Sequence, residues 1–138
     1  MNIKRMGIGT VVGAITLYLL GMLIWEVLFA DFFEANSGSA VGVVRETPIL
    51  WAVIVGTLAY AKLLTFALEW KGASNSLLEG LKVGVVVGAL LWGTADFILY
   101  GYFHLNNLTA TIADTLLEGV RGGIAGGVIA AVLSKVGD

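Results

Sequence analysis

The stretch DTLLEGVRGGIAGGVIAAVL (residues 114–133) decides the predicted fold. Its second half is an apolar, glycine-rich run of the kind that crosses a bilayer. Its first half carries Asp114, Glu118 and Arg121 at spacings of four and three residues, which place the three side chains on one helical face. Ionisable groups inside a membrane are costly and usually face a bundle interior or water. The stretch therefore predicts a transmembrane bundle with an internal polar site.

Composition agrees with a membrane protein of one domain, covering residues 1–138. Of the 138 residues, 58% are hydrophobic and only 13% are charged, whereas about a quarter of residues are charged in soluble domains. A net charge of -2 without a dense basic cluster argues against a nucleic-acid partner. The absence of cysteine excludes disulfides, thiolate catalysis and zinc–thiolate sites.

Four apolar segments predict an all-α, four-helix transmembrane bundle, with spans at about residues 6–33, 48–70, 77–103 and 110–136. Pro48 suits the first turn of the second helix. Residues 6–25 are uncharged and exceed the usual apolar region of a signal peptide, about 7–15 residues, so the first span is predicted to stay in the mature protein.

Basic residues predict the orientation of the bundle. One side of the membrane receives Lys4, Arg5, Lys71, Lys82 and Lys135, and the other receives only Arg45. By the positive-inside rule, both termini are predicted to be cytoplasmic.

Glycine stripes predict how the helices associate, because small residues let backbones approach closely in a bilayer. The stripes form a predicted glycine zipper on the fourth span, a second stripe on the third and a shorter one on the first: Gly119, Gly123 and Gly127; Gly80, Gly84 and Gly88; Gly9 and Gly13. Gly122 and Gly126 lie beside the first stripe. Packing within one bundle is the favoured interpretation, and a homo-oligomer is the alternative.

Charged residues in the spans predict a ligand- or ion-binding site. Glu26 and Asp96 lie at matching depth, each seven residues before the aromatic end of its span. With Glu118 and Arg121 they are expected to form one polar cluster that opens outward, which Asp114 and Arg45 could join. Carboxylates in excess must be protonated, hydrated or matched by a cation. This predicts binding or passage of a small ion, proton or polar ligand; the alternative is a structural salt-bridge network.

Enzyme motifs are missing from the sequence. It contains no H-E-x-x-H, G-x-S-x-G or P-loop motif, so the prediction leans away from an enzyme and includes no cofactor and no metal site. Two other function classes stay open: an accessory subunit that packs against a larger membrane complex, and a membrane-embedded enzyme acting on a lipid headgroup. Membrane lipid is an expected partner in every case.

Three stretches carry a family resemblance: GSAVGVVRE (residues 38–46), LLWGTADFILYG (90–101) and NNLTATIADTLLEGVRGGIAG (106–126). Together they resemble small bacterial four-span membrane proteins that have no assigned activity. The resemblance covers most of the chain. It implies a location in the bacterial inner membrane and implies nothing about activity.

Overall fold

A computed structural model describes residues 2–137. The chain forms α1 (Ile3–Gly21), a π-helical segment (Met22–Leu28), the short α2 (Ala30–Ala35), α3 (Leu50–Lys71), α4 (Leu77–Tyr102) and α5 (Leu108–Leu133). Four helical segments are long and apolar enough to cross a membrane: Ile3–Leu28, Leu50–Lys71, Leu77–Tyr102 and Leu108–Leu133. The predicted all-α, four-helix transmembrane class is confirmed, and the chain is a multi-pass membrane protein.

The starts of three helices differ by two or three residues from those expected from the sequence, whereas α4 begins at the predicted Leu77. The first helix begins at Ile3, because the Asn2 side chain caps it by accepting hydrogen bonds from the amides of Lys4 and Arg5 at 2.9 and 3.3 Å. Contrary to prediction, Pro48 lies outside α3, which begins at Leu50 after the extended residue Ile49. The proline therefore ends the preceding loop and does not belong to the first turn.

The helices run alternately up and down, so each end of the bundle collects two helix starts and two helix ends. The Arg5 end holds the start of α1, the end of α3, the start of α4 and the end of α5. The opposite end, named here the Asn107 end, holds the remaining termini and the loop over residues 36–49. There a short antiparallel bridge joins Ser37 to Asn106.

The α5 helix lies at the centre of the bundle. In its most apolar window 56% of the residues are buried, against 17–22% for the other three spans. Its closest partner is α4. A Cβ added to Gly122 would lie 2.5 Å from the carbonyl oxygen of Gly84, and one added to Gly80 would lie 2.6 Å from that of Gly126. Only glycine leaves room for this approach between the two backbones.

The remaining predicted packing glycines also lie at helix contacts. On α4, Gly88 faces the backbone carbonyl of Glu118. On α1, Gly9 faces Thr65 of α3, and Gly13 lies between Ala61 and Ile129. The predicted α5 stripe faces side chains of α4: Gly119 against Ala89, Gly123 against Val85, and Gly127 against Leu81. Both glycine stripes of α5 are thus used within the chain.

Apolar side chains fill the half of the bundle nearest the Arg5 end. The largest fully buried apolar residues belong to α1, α3 and α5: Leu17, Leu64, Leu68, Ile129 and Leu133. They form one contiguous cluster. This half of the interior is mainly apolar, and the polar interior lies in the other half.

A buried arginine closes the Arg5 end. The Arg5 guanidinium pairs with Glu69 at 3.0 Å and donates to the carbonyl oxygens of Leu133 and Val136 at 2.9 and 2.6 Å. It also donates to the Ser74 hydroxyl at 3.0 Å. These contacts, named here the Arg5 network, tie the start of α1 to the ends of α3 and α5. The sequence predicted Arg5 only as a basic residue beside the first span.

Replacing Gly84 by alanine tests the α4–α5 contact. The added methyl group would overlap the backbone of α5, and overpacking typically costs about 1–3 kcal/mol. Thermal unfolding in detergent, followed by circular dichroism, should show this loss for Gly84→Ala. The control is Gly7→Ala: Gly7 has open space around it, and the substitution should be neutral or stabilise by up to about 1 kcal/mol. Equal stability of the two variants would contradict the packing described.

Removing the guanidinium with Arg5→Met tests the Arg5 network. The change leaves Glu69 and two carbonyl groups without their donor, and breaking a buried pair costs about 3–5 kcal/mol. We expect the lower part of that range, because the Glu69 side chain keeps 12% of its exposure. The same unfolding assay measures it. Glu79→Gln is the control at the same end, because the ion pairs of Glu79 with Lys71 and Lys82 are exposed, and its unfolding should not change.

Candidate functional site

Arg121 organises the polar half of the interior. It projects from α5 toward α1, where its Nε and Nη2 atoms donate to the carbonyl oxygen of Leu17 at 3.0 and 2.8 Å. Gly21 makes room for it: a Cβ at that position would lie 3.0 Å from Nη2 of Arg121. The guanidinium thereby joins two helices through a backbone carbonyl, an interaction that depends on backbone position and not on a side-chain partner.

Glu118 is the ion-pair partner of Arg121. The Glu118 Oε1 atom accepts a hydrogen bond from Nη1 at 2.8 Å, and the two side chains are only 4% and 12% exposed. The spacing of three residues on one helix brings them together, as the sequence predicted. The second carboxylate oxygen, Oε2, is buried and has no hydrogen-bond partner in the described chain.

Aromatic rings enclose the guanidinium. The Arg121 Cζ atom lies 5.4 Å from the ring centroid of Trp25 and 6.0 Å from that of Tyr60, within the range of cation–π attraction. Trp25 also donates from Nε1 to Oδ1 of Asp114 at 2.6 Å. It belongs to the π-helical segment, which begins directly after Gly21. Such segments are often found at functional sites.

Two aspartates complete the arrangement. Asp96 on α4 and Asp114 on α5 are neighbours, close enough for their carboxyl groups to influence each other. The Thr115 hydroxyl lies 3.2 Å from Oδ2 of Asp96 and 3.1 Å from the carbonyl oxygen of Thr111, so it can donate to either. Arg121, Glu118, Asp114 and Asp96 are named here the Arg121 group. It contains three carboxyl groups and one guanidinium.

Two predicted members of the site lie elsewhere. Glu26 and Arg45 are both exposed, and neither forms a hydrogen bond or ion pair with another of the described residues. Glu26 points away because it is next to Trp25 in the π-helical segment, where Trp25 takes the inward position. Arg45 lies in the loop over residues 36–49 and does not fold inward. A binding role for these two residues stays a prediction.

A cavity of about 310 Å³ reaches the Arg121 group from the side. Arg121, Tyr60 and Trp92 line it together with residues of α3. The Tyr60 hydroxyl and the Trp92 indole nitrogen are buried and lack a hydrogen-bond partner within residues 2–137. Across that same range, no group of three or more His, Asp or Glu side chains has the arrangement of a metal site.

No family model, curated protein or solved structure matches this chain. The resemblance to small bacterial four-span proteins therefore stays a prediction.

Sequence reasoning missed several residues that contact the charges. Trp25, Tyr60 and Trp92 were not singled out as part of the site, and neither was the Leu17 carbonyl. Aromatic residues along a span are typical of any membrane helix, so their identity gave no signal. The Leu17 carbonyl is a backbone group present at every position. The small residue Gly21, one turn after Leu17, was the only local sign that a long side chain approaches there.

A double-mutant cycle tests how much the interaction between Arg121 and Glu118 contributes to the free energy of unfolding. Arg121→Met leaves Glu118 buried without its donor, so we expect a loss of about 3–5 kcal/mol in the free energy of unfolding. Combining it with Glu118→Gln removes the uncompensated charge and should recover much of this loss. Thermal unfolding in detergent measures all four corners of the cycle. Additive losses would mean that the pair does not interact as described.

Proposed function

We propose that this chain is a bacterial inner-membrane protein whose Arg121 group binds and passes a proton or another small cation. One observation carries the proposal: Asp96, Asp114 and Glu118 bring three carboxyl groups to a site with a single guanidinium. This is the smallest ligand class among those the sequence predicted. A polar ligand larger than a cation is the broader form of the same hypothesis.

The physical reason lies in the solvation of charge. A carboxylate taken out of water needs a proton, a hydrogen-bond donor or a cation nearby. Arg121 supplies charge for one carboxylate, and its contact is with Glu118. Asp96 and Asp114 receive neutral donors, from Thr115 and Trp25. The buried oxygen Oε2 of Glu118 is a further acceptor, and none of residues 2–137 donates to it. Two negative charges are thus left for protons or cations to match.

The Arg5 end and the Asn107 end of the bundle differ, and this difference indicates the side from which an ion enters the site. Beyond the Arg121 group, toward the Arg5 end, the interior is apolar and closes at the Arg5 network. Asp96 and Asp114 are half-buried and lie on the side of the Asn107 end. With the termini in the cytoplasm, as the positive-inside rule favours, this end faces the periplasm. The site is then an outward-facing one, and passage requires the apolar half to open.

An accessory subunit of a larger membrane complex is the second candidate function. Val41 and Val44, in the loop at the Asn107 end, are 92% and 86% exposed. Exposed apolar side chains on a loop favour contact with another molecule. The two glycine stripes of α5 do not support this candidate, because they face α4 within the chain.

Proteoliposomes containing the purified protein and an internal pH-sensitive dye test the first candidate. With a potassium diffusion potential set by valinomycin, with and without a sodium gradient, the wild type should move protons or sodium faster than empty vesicles. Asp96→Asn and Glu118→Gln should each lower that rate at least tenfold, because each removes a titratable oxygen from the Arg121 group. Glu34→Gln is the control, since Glu34 is exposed and outside the spans.

In the same proteoliposomes, the fluorescence of Trp25 measures ion binding separately from ion flux. Because Trp25 donates to Asp114, its emission should respond to pH or sodium, and Trp25→Phe should remove that response. Flux or binding that is lost in Asp96→Asn, with unfolding temperature retained, supports the proposal, because this variant leaves the Glu118–Arg121 ion pair in place. Wild-type protein that shows neither flux nor a Trp25 response would overturn it and leave the accessory subunit as the better candidate.

A further inference from the structure

The half of α3 nearest the Asn107 end is poorly covered by the rest of the bundle. Its buried residues begin only at Tyr60 and continue toward the Arg5 end, whereas residues 50–59 are exposed or half-exposed. Gly56 has open space where a side chain would stand. This poor coverage leaves a groove between α3 and α4 that opens sideways, in the direction of the bilayer.

Two adjoining cavities make up this α3/α4 groove. One has a volume of about 290 Å³ and the other about 310 Å³, and they share the wall residues Gly56, Tyr60 and Trp92. The first is apolar and is lined further by Ala59, Leu63, Leu91 and Ala95. The second ends at Arg121. A molecule filling both would have an apolar tail in the first and a polar head at the second.

The polar groups of the groove favour a neutral head with acceptor oxygens. Arg121 keeps one N–H on Nη1 and one on Nη2 beyond those bonded to Glu118 and Leu17. Tyr60 and Trp92 present their rings to the groove, because their polar atoms are buried below its surface, and the Tyr60 hydroxyl faces Gly88 and Gly122. The charge of Arg121 is already matched by Glu118, and the neighbouring aspartates disfavour an anionic head. A cationic head would be repelled by the guanidinium of Arg121.

The depth of the groove in the membrane further restricts the class of ligand. Tyr60 lies ten residues into α3, which begins at Leu50, so it stands about 15 Å from the helix end at about 1.5 Å per residue. The hydrocarbon core is about 30 Å thick, and the head of the ligand would therefore lie near its middle. Phospholipid headgroups stay at the interface. The ligand must be a molecule whose polar head is soluble in hydrocarbon.

We propose that the α3/α4 groove binds a quinone with an alkyl or prenyl tail. Quinones combine neutral carbonyl oxygens, a flat ring and an apolar tail, and they dissolve in the bilayer interior. The ring lies between the bare backbone of Gly56 and the aromatic side chains of Tyr60 and Trp92, with a carbonyl oxygen accepting from Arg121. The tail follows the apolar cavity toward the lipid. The proposal concerns binding, and it stands apart from ion passage by the Arg121 group.

Saturable quenching of tryptophan emission by decylubiquinone, in nanodiscs containing the purified protein, tests the proposal. Gly56→Leu should weaken binding at least tenfold, because the leucine side chain would fill the groove without meeting a neighbour. Gly7→Leu is the matched control: Gly7 also has open space around it, lies in a helix and is far from the groove. Its affinity should equal that of the wild type.

Two further ligands identify what the groove recognises. Decylbenzene carries the same tail without carbonyl oxygens, and decanoate carries an anionic head. Both should compete with decylubiquinone for the groove at least tenfold less well than a second quinone of low absorbance does. Equal competition by decylbenzene would mean that the groove accepts any apolar molecule, and stronger competition by decanoate would mean an anionic head. Either result overturns the proposal, as does quenching that is unsaturable or unaffected by Gly56→Leu.

The quinone-binding proposal and the ion-passage proposal can be contradicted independently of each other. Gly56→Leu changes no carboxyl group, so ion flux in proteoliposomes should survive it when quinone binding is lost. Asp96→Asn leaves every residue lining the groove in place, so quinone binding should survive when ion flux is lost.

Discussion

A guanidinium on a helix inside a bilayer must find its partners within the protein, and this constraint organises the polar half of the structure. Arg121 cannot reach either end of α5, so its partners come from three helices: Glu118 on its own helix, the Leu17 carbonyl on α1, and the ring of Tyr60 on α3. The contacts with Leu17 and Tyr60 fix the positions of the neighbouring helices α1 and α3. The π-helical segment and Gly21 are the local adjustments of α1 to this side chain.

Glycine makes that arrangement possible by setting the place of α5. Because the α4 and α5 backbones touch through Gly84 and Gly122, almost no side-chain volume separates them. The charged face of α5 is then turned toward α1 and α3, and Asp96 of α4 is brought beside Asp114. The close contact is therefore also what brings two aspartates from different helices together. Packing and the unbalanced charge of the site have the same structural cause.

The sequence predicted the parts of this fold that depend on periodicity within one helix. The four spans follow from the length of apolar runs, and the Glu118–Arg121 pair follows from a spacing of three residues. What the sequence did not predict depends on how one helix is rotated against another. Glu26 and Trp25 are adjacent, and only the π-helical segment decides which of them faces inward. The Arg5 network was missed for a related reason, because its acceptors include backbone carbonyls.

The two arginines show how similar chemistry serves different purposes at different depths. Within residues 2–137, Arg5 contacts the carboxylate of Glu69 and several neutral acceptors, and these contacts fix the ends of three helices. Arg121 also has a carboxylate and carbonyl contacts, yet two more carboxyl groups stand nearby and a cavity reaches it from the side. A network built only for stability has no need of that surplus, since each added carboxyl group raises the cost of burial. The extra carboxyl groups distinguish a binding site from a structural network. They lie in the half of the bundle that the α3/α4 groove reaches.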